Sequence, residues 1–236
     1  MIRITRPVDF PWLDGRFWEV PHQLGPEVAI CRVDVPPDVI VPPETVGKAE
    51  LVRATRMRDR VEALRFLASH AVLRAVLASA VGRTRSQLAL TVDGLGKPRL
   101  AGGLIRFNMS RSGPTVLIGI SEAREIGVDV EMDREVPCQE GLAREHLSSF
   151  EYEAWWADTA LSREVTFLKL WTRKEACVKA AGMGLAMRLG SVEVGIGADR
   201  SPLSFTFRSG LHDWSGQVVS LPMPPRLFAA AAVITS

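Results

Sequence analysis

The sequence predicts an α+β fold built as two related halves. Its 236 residues suffice for two cores of roughly 110 residues each. Each half runs from short apolar segments bounded by glycine and proline, through a long helical segment, to further strand-like runs. The polar stretch Ser121–Glu125 joins them, which divides the chain into residues 1–121 and 122–236.

Taken in order, the first 47 residues are rich in proline and short apolar runs. Val28–Val35 alternates well enough for a strand, Trp12, Phe17 and Trp18 are candidates for the core, and the prolines of Pro36–Pro43 force a loop. Lys48–Val81 has helical periodicity, with Val61, Leu64, Leu67 or Ala68, Ala71 and Ala75 on one stripe and Gly82 as its stop. The other side carries Arg53, Arg56, Arg58, Arg60 and Arg65, which reads as a solvated face before an anion site. His70 reads as structural. Leu88–Val92 is a short strand, and Asp93–Pro98 is a turn that presents Lys97 on a stiff tip. Ile105–Asn108 is a strand, Met109–Gly113 a turn, and Thr115–Ser121 an apolar strand. Ser110 and Arg111 suit either an ordinary hairpin turn or a phosphate held by a hydroxyl, exposed amides and a guanidinium.

In the second half, Ile126–Glu131 reads as a strand with Ile126, Val128 and Val130 turned to the core and Gly127, Asp129 and Glu131 on the other face. Val136–Trp156 follows a proline break as a helix containing Glu151, Glu153, Trp155 and Trp156. Phe167–Leu185 is the next helix, ended by Gly182 and Gly184. Ser191–Ile196, Leu203–Phe207, Gln217–Leu221 and Leu227–Ile234 then read as strands.

Bulk properties exclude several classes. A formal net charge of +2 gives no reason to expect a nucleic-acid partner. Cys31, Cys138 and Cys177 form no CxxC pair, so reduced thiols in the cytoplasm are expected rather than a disulfide framework. The N-terminus lacks a basic region followed by an apolar core, and no run reaches the length of a bilayer span, so no membrane partner is expected. No GxxxxGK[ST], GxGxxG or GxSxG motif occurs, and His22, His70, His146 and His212 are too dispersed for a local zinc motif.

The informative charges are on the Phe167–Leu185 helix. At about 100° per residue, Phe167, Leu168, Trp171 and Val178 share an arc that includes Glu175, with Lys174 and Lys179 on its flanks. Either these charges form local ion pairs on a surface helix, as the i,i+4 spacing of Glu175 and Lys179 allows, or they meet a metal or an anion. Lys48, Lys97, Lys169, Lys174 and Lys179 are the only lysines in an arginine-rich chain, and three of them lie on this helix. Asp129 and Glu131 stand about 7 Å apart along one strand face, where like charges repel unless a cation lies between them. With Glu175 they make three oxygen donors, a set suited to Mg2+ and a diphosphate, with Lys97, Arg65, Arg111, Lys174 and Lys179 as the remaining positive charges.

Gly127-Val128-Asp129-Val130-Glu131, followed some forty residues on by Trp171-Thr172-Arg173-Lys174-Glu175-Ala176-Cys177-Val178-Lys179-Ala180-Ala181-Gly182, resembles the paired signature of the 4′-phosphopantetheinyl transferases. Gly96-Lys97-Pro98 and Phe107-Asn108-Met109-Ser110-Arg111-Ser112 resemble two further motifs of the larger, two-half type that activates peptide synthetases and polyketide synthases. The resemblance implies two pseudo-symmetric halves, each a small antiparallel sheet packed with a long helix, and an active site in the cleft between them. It implies transfer of 4′-phosphopantetheine from coenzyme A to a serine of an apo acyl or peptidyl carrier protein by a cytoplasmic monomer. By position, Asp129, Glu131 and Glu175 match its magnesium ligands, and Lys174 and Lys179 match lysines on the diphosphate. Arg65, Lys97, Ser110 and Arg111 match residues that hold the adenosine 3′-phosphate and diphosphate, and Glu151 matches a supporting acidic position. Glu175, Lys179 and Asp129 are then the catalytic candidates, with Glu175 or a water on the metal taking the serine proton. The chain departs from the pattern at Arg111, where the family has histidine, and at His146-Leu147-Ser148, where the family pattern is more aromatic. A non-catalytic module binding coenzyme A or a nucleotide is the alternative.

Overall fold

The computed structural model describes residues 4, 7, 10–134, 139–159, 162–184, 187–196, 201–210 and 212–235. Val136, Cys138 and Leu185, used in the sequence reading, lie outside them. In chain order the first half contains β1 (Phe17–Glu19), β2 (Val28–Asp34), α1 (Lys48–Thr55), α2 (Arg60–Ala80), β3 (Leu90–Val92), β4 (Pro98–Leu100), β5 (Arg106–Ser112) and β6 (Thr115–Ser121). The second contains β7 (Ile126–Met132), α3 (Gln139–His146), α4 (Ser149–Ala157), α5 (Arg163–Ala181), β8 (Leu203–Ser209), β9 (His212–Ser220) and β10 (Leu227–Ile234).

Two antiparallel four-stranded sheets, ordered β1-β2-β6-β5 and β7-β10-β9-β8, form the frame, with β3 and β4 as a separate hairpin. Strand alternation sorts the side chains into three apolar layers. Cys31, Val33, Phe107, Val116, Ile118 and Ile120 of the first sheet pack on Ala68, Val72, Val76 and Leu77 of α2. The opposite face of that sheet, through Val28, Ile30 and Leu117, meets Ile126, Val128, Val130, Ala231 and Val233 of the second. The far face of the second sheet, through Val218, Ala230 and Ala232, packs on Phe167, Leu168, Ala176 and Ala180 of α5. The order is therefore helix, sheet, sheet, helix, as the α+β expectation requires.

Several local departures have identifiable causes. The expected single helix from Lys48 to Val81 is two, because Asp59 caps α2 by accepting from the amides of Val61 (2.8 Å) and Glu62 (3.0 Å). At 21 residues α2 is long and apolar enough, by length and composition, to cross a bilayer, contrary to the sequence reading; its apolar face lies on the first sheet. The expected helix from Val136 to Trp156 is divided in its described part, where Ser148 and Glu151 form a reciprocal cap at the start of α4. Ser191–Ile196 forms no strand, only a bridge from Glu193 to Thr206. Met109–Gly113 is not a turn: β5 runs on to Ser112, and the chain reverses at Gly113, whose φ is 54°. Asn108, Ser110 and Ser112 are turn-prone types, but here their side chains serve a neighbouring strand.

Lys97 is also not at an exposed tip. The residue is 6% exposed, and its ammonium donates to Glu125 (2.9 Å), to the carbonyl of Ile126 (3.1 Å) and to that of Ala180 (2.7 Å). One side chain thus joins the β3–β4 hairpin to the start of β7 and the end of α5. Lys97→Met is expected to lower the stability measured by urea unfolding by about 2 kcal/mol, since it removes charge-assisted bonds from two buried carbonyls.

Candidate active site

The site begins with the close approach of β7 to α5. A Cβ at Gly127 would overlap the Ala176 carbonyl oxygen and the Ala180 amide nitrogen, and would stand 2.9 Å from the Ala180 Cα. Only glycine lets the strand lie this near the helix. The contact turns the odd positions of β7 toward α5 and so brings Asp129 and Glu131 to the Glu175 and Lys179 side of that helix.

Asp129 is 3% exposed and anchors the cluster. Its Oδ1 accepts from the Ser110 hydroxyl at 2.8 Å and from the Lys179 ammonium at 2.5 Å, and Lys179 also reaches Ser110 Oγ at 3.2 Å. Its Oδ2 is buried with no hydrogen-bond partner among the described residues. Burial raises the Asp129 pKa, with the Lys179 ammonium and the Ser110 hydroxyl opposing. Glu131 accepts from Ser112 at 3.0 Å, and its pKa is raised by burial and then by the charge of Asp129. Glu175 is raised by burial, opposed by Lys179, and raised further by Asp129 and Glu131. The three carboxylates therefore sense one another, although among the described residues no three His, Cys, Asp or Glu side chains enclose a metal position by themselves.

These raised values set a direction for stability. Glu175 holds its proton to higher pH in the folded protein than in the unfolded chain. The stability it contributes is thus complete below its ordinary value of 4.5 and is lost as pH rises through its native one. Glu175→Gln cannot ionise, so in the absence of divalent cations its melting temperature should exceed that of the wild type by a margin that widens with pH across this range. Melting curves at stepped pH check this; a constant margin would refute it.

Not every predicted residue joins this cluster. Arg65 and Arg111 meet at Glu62, at 2.8 and 2.9 Å, on the α2 side of β5. Beside them a cleft of about 450 Å³ is lined by Arg53, Phe66, His70, Leu90, Phe107 and Met109 among others. Lys174 belongs to neither group. It is fully buried, its ammonium lies 2.5 Å from Glu151, and it donates to the carbonyls of Leu189 (3.1 Å) and Val192. Its donors are spent there, so the expected diphosphate contact of Lys174 is replaced by an internal ion pair, as that of Lys97 is by its own bonds. Glu151 completes the arrangement by accepting from the amides of Ser148 (2.9 Å) and Val194 (2.8 Å). The sequence reading missed Asn108, Glu62 and Ser112 as parts of this region. The alternation Asn108-x-Ser110-x-Ser112 was the available signal for the first and last.

Comparison with known proteins places the chain in a family. Residues 125–232 match the 4′-phosphopantetheinyl transferase superfamily. The 4′-phosphopantetheinyl transferase HetI of Nostoc is 31% identical over 64% of this chain and 65% of its own length. A putative 4′-phosphopantetheinyl transferase of Synechocystis is 31% identical over 71% of this chain and 69% of its own. The transferase psf-1 of Bacillus pumilus is 28% identical over 62% of each. The aligned part thus spans less than two thirds of the Nostoc and Bacillus proteins. On the Synechocystis match and the superfamily match together, the chain belongs to the 4′-phosphopantetheinyl transferase superfamily.

Proposed function

We propose that the protein transfers the 4′-phosphopantetheine group of coenzyme A to a serine of an apo acyl or peptidyl carrier protein, releasing adenosine 3′,5′-bisphosphate. The observation that carries the reading is the convergence of Asp129, Ser110 and Lys179 within hydrogen-bond distance, in electrostatic range of Glu131 and Glu175. An oxygen-only donor set with an unpartnered buried Asp129 Oδ2 and two further carboxylates raised first by burial and then by their acidic neighbours suits a hard divalent cation. Asp129, Glu131 and Glu175 would hold Mg2+, which when bound supplies positive charge against the diphosphate.

In the reaction, the serine Oγ of the carrier forms a bond to the β-phosphorus as the bond from that phosphorus to the bridging oxygen breaks. The pair of electrons leaves with adenosine 3′,5′-bisphosphate, and the serine proton must go to a base. Glu175 is the candidate among these side chains; in the cation-free protein burial and its two acidic neighbours raise its pKa, and a bound cation would oppose that shift. Lys179 places an ammonium beside the same carboxylates and stabilises charge on the phosphates. Arg65 and Arg111, held by Glu62 next to the 450 Å³ cleft, supply positive charge for the adenosine end of coenzyme A. Two buried free cysteines, Cys31 and Cys177, suit a reducing cytoplasm. The same reading takes residues 1–121 and 122–236 as the two halves, acting as a monomer.

Incubation with coenzyme A, Mg2+ and an apo carrier protein tests this, read as a gain in the carrier's mass by one phosphopantetheine. A panel of acyl and peptidyl carriers left unmodified, with coenzyme A bound, would favour the non-catalytic binding module instead.

A further inference from the structure

We infer that Asn108, Ser110 and Ser112 form a side-chain ladder that registers the two halves, and that Ser112 is a positioning residue for Glu131. The inference rests on the reading of Asp129, Glu131 and Glu175 as divalent-cation ligands. Strand β7 is the edge of its sheet, paired on one side only, with β10. The amides of Val128, Val130 and Met132 lie on its open side and need acceptors. Among the described residues their acceptors are side chains, not backbone carbonyls. Val128 donates to Asn108 Oδ1 at 2.9 Å, Val130 to Ser110 Oγ at 3.4 Å and Met132 to Ser112 Oγ at 3.1 Å.

Each acceptor on β5 stands twenty positions before its donor on β7, so the two edge strands run in the same direction with a constant offset. The two serines also repeat one unit. Ser110 accepts from the amide of Val130 and donates to the carboxylate of the preceding residue, Asp129 (2.8 Å). Ser112 accepts from the amide of Met132 and donates to the preceding Glu131 (3.0 Å). A hydroxyl bonded at both ends fixes one carboxylate rotamer against one point of backbone. Glu131 is the more exposed of the two acids, and the cation paired with it is the exposed Arg134 guanidinium, 3.8 Å from Oε2, where Asp129 has the Lys179 ammonium at 2.5 Å, so its orientation depends more on the Ser112 bond.

The test uses Mn2+ as the probe, titrated into the full chain with coenzyme A present and followed by the loss of the free Mn2+ electron paramagnetic resonance signal, corrected for binding by coenzyme A alone. Ser112→Ala is expected to weaken Mn2+ binding by about 10- to 100-fold. Ser112→Thr, which keeps the hydroxyl, is expected to restore it, and circular dichroism verifies that both fold. Wild-type affinity in Ser112→Ala, or equal weakness in a folded Ser112→Thr, would overturn the role of Ser112 while leaving the cation site standing. A wild-type protein that takes up no Mn2+ would overturn the cation site and this inference with it.

Discussion

Glu151→Ala is expected to lower the free energy of unfolding by about 3–5 kcal/mol, the cost of leaving a buried charge without its partner. Lys174 would lose the carboxylate 2.5 Å away while remaining shielded from water on every side. Burial already pulls the Lys174 pKa down, with Glu151 opposing it, so the ammonium depends on that carboxylate to stay charged. The same substitution removes the acceptor for the amides of Ser148 and Val194 and so loosens the start of α4. Urea unfolding measures the loss. The double variant Glu151→Ala, Lys174→Met should recover a part of it, because the stranded charge is gone; a double variant less stable than Glu151→Ala alone would contradict the buried-charge account.

Asp129→Asn is expected to reduce kcat/KM for carrier modification by about 100- to 1,000-fold with little change in unfolding midpoint. The amide has the shape of the carboxylate, so the packing of β7 survives, but the negative charge that accepts from Lys179 and Ser110 is lost. An amide nitrogen facing the ammonium would also repel it. Steady-state kinetics with a fixed carrier and varied coenzyme A measure the effect, and turnover at the wild-type rate would remove the acidic cluster from the chemistry.

Much of this arrangement was legible in the sequence, because it depends on two short periodicities. Period two along Ile126–Glu131 put Asp129 and Glu131 on one face, and a four-residue step along α5 put Glu175 and Lys179 on another. What periodicity cannot show is which neighbour a charge meets. Lys174 is one residue from Glu175 but about 100° around the helix, and its partner Glu151 comes from a separate helix. Lys97 escapes a local reading for the same reason, since its carbonyl acceptors lie on the distant Ile126 and Ala180. Residue type alone places Ser110 and Ser112 in a turn. Whether such residues bend the chain or extend it depends on the acceptor-poor edge of β7, which no local window contains.

The tight seam at Gly127 limits what sequence drift can reach. In a library randomised at codon 127 and sorted for soluble expression, glycine should dominate the survivors, since even alanine would collide with the main chain of α5 at Ala176 and Ala180. Any evolutionary retuning of the pocket must then enter through its opposite wall, from the β5 side, while the helix and strand carrying the acids stay clamped together.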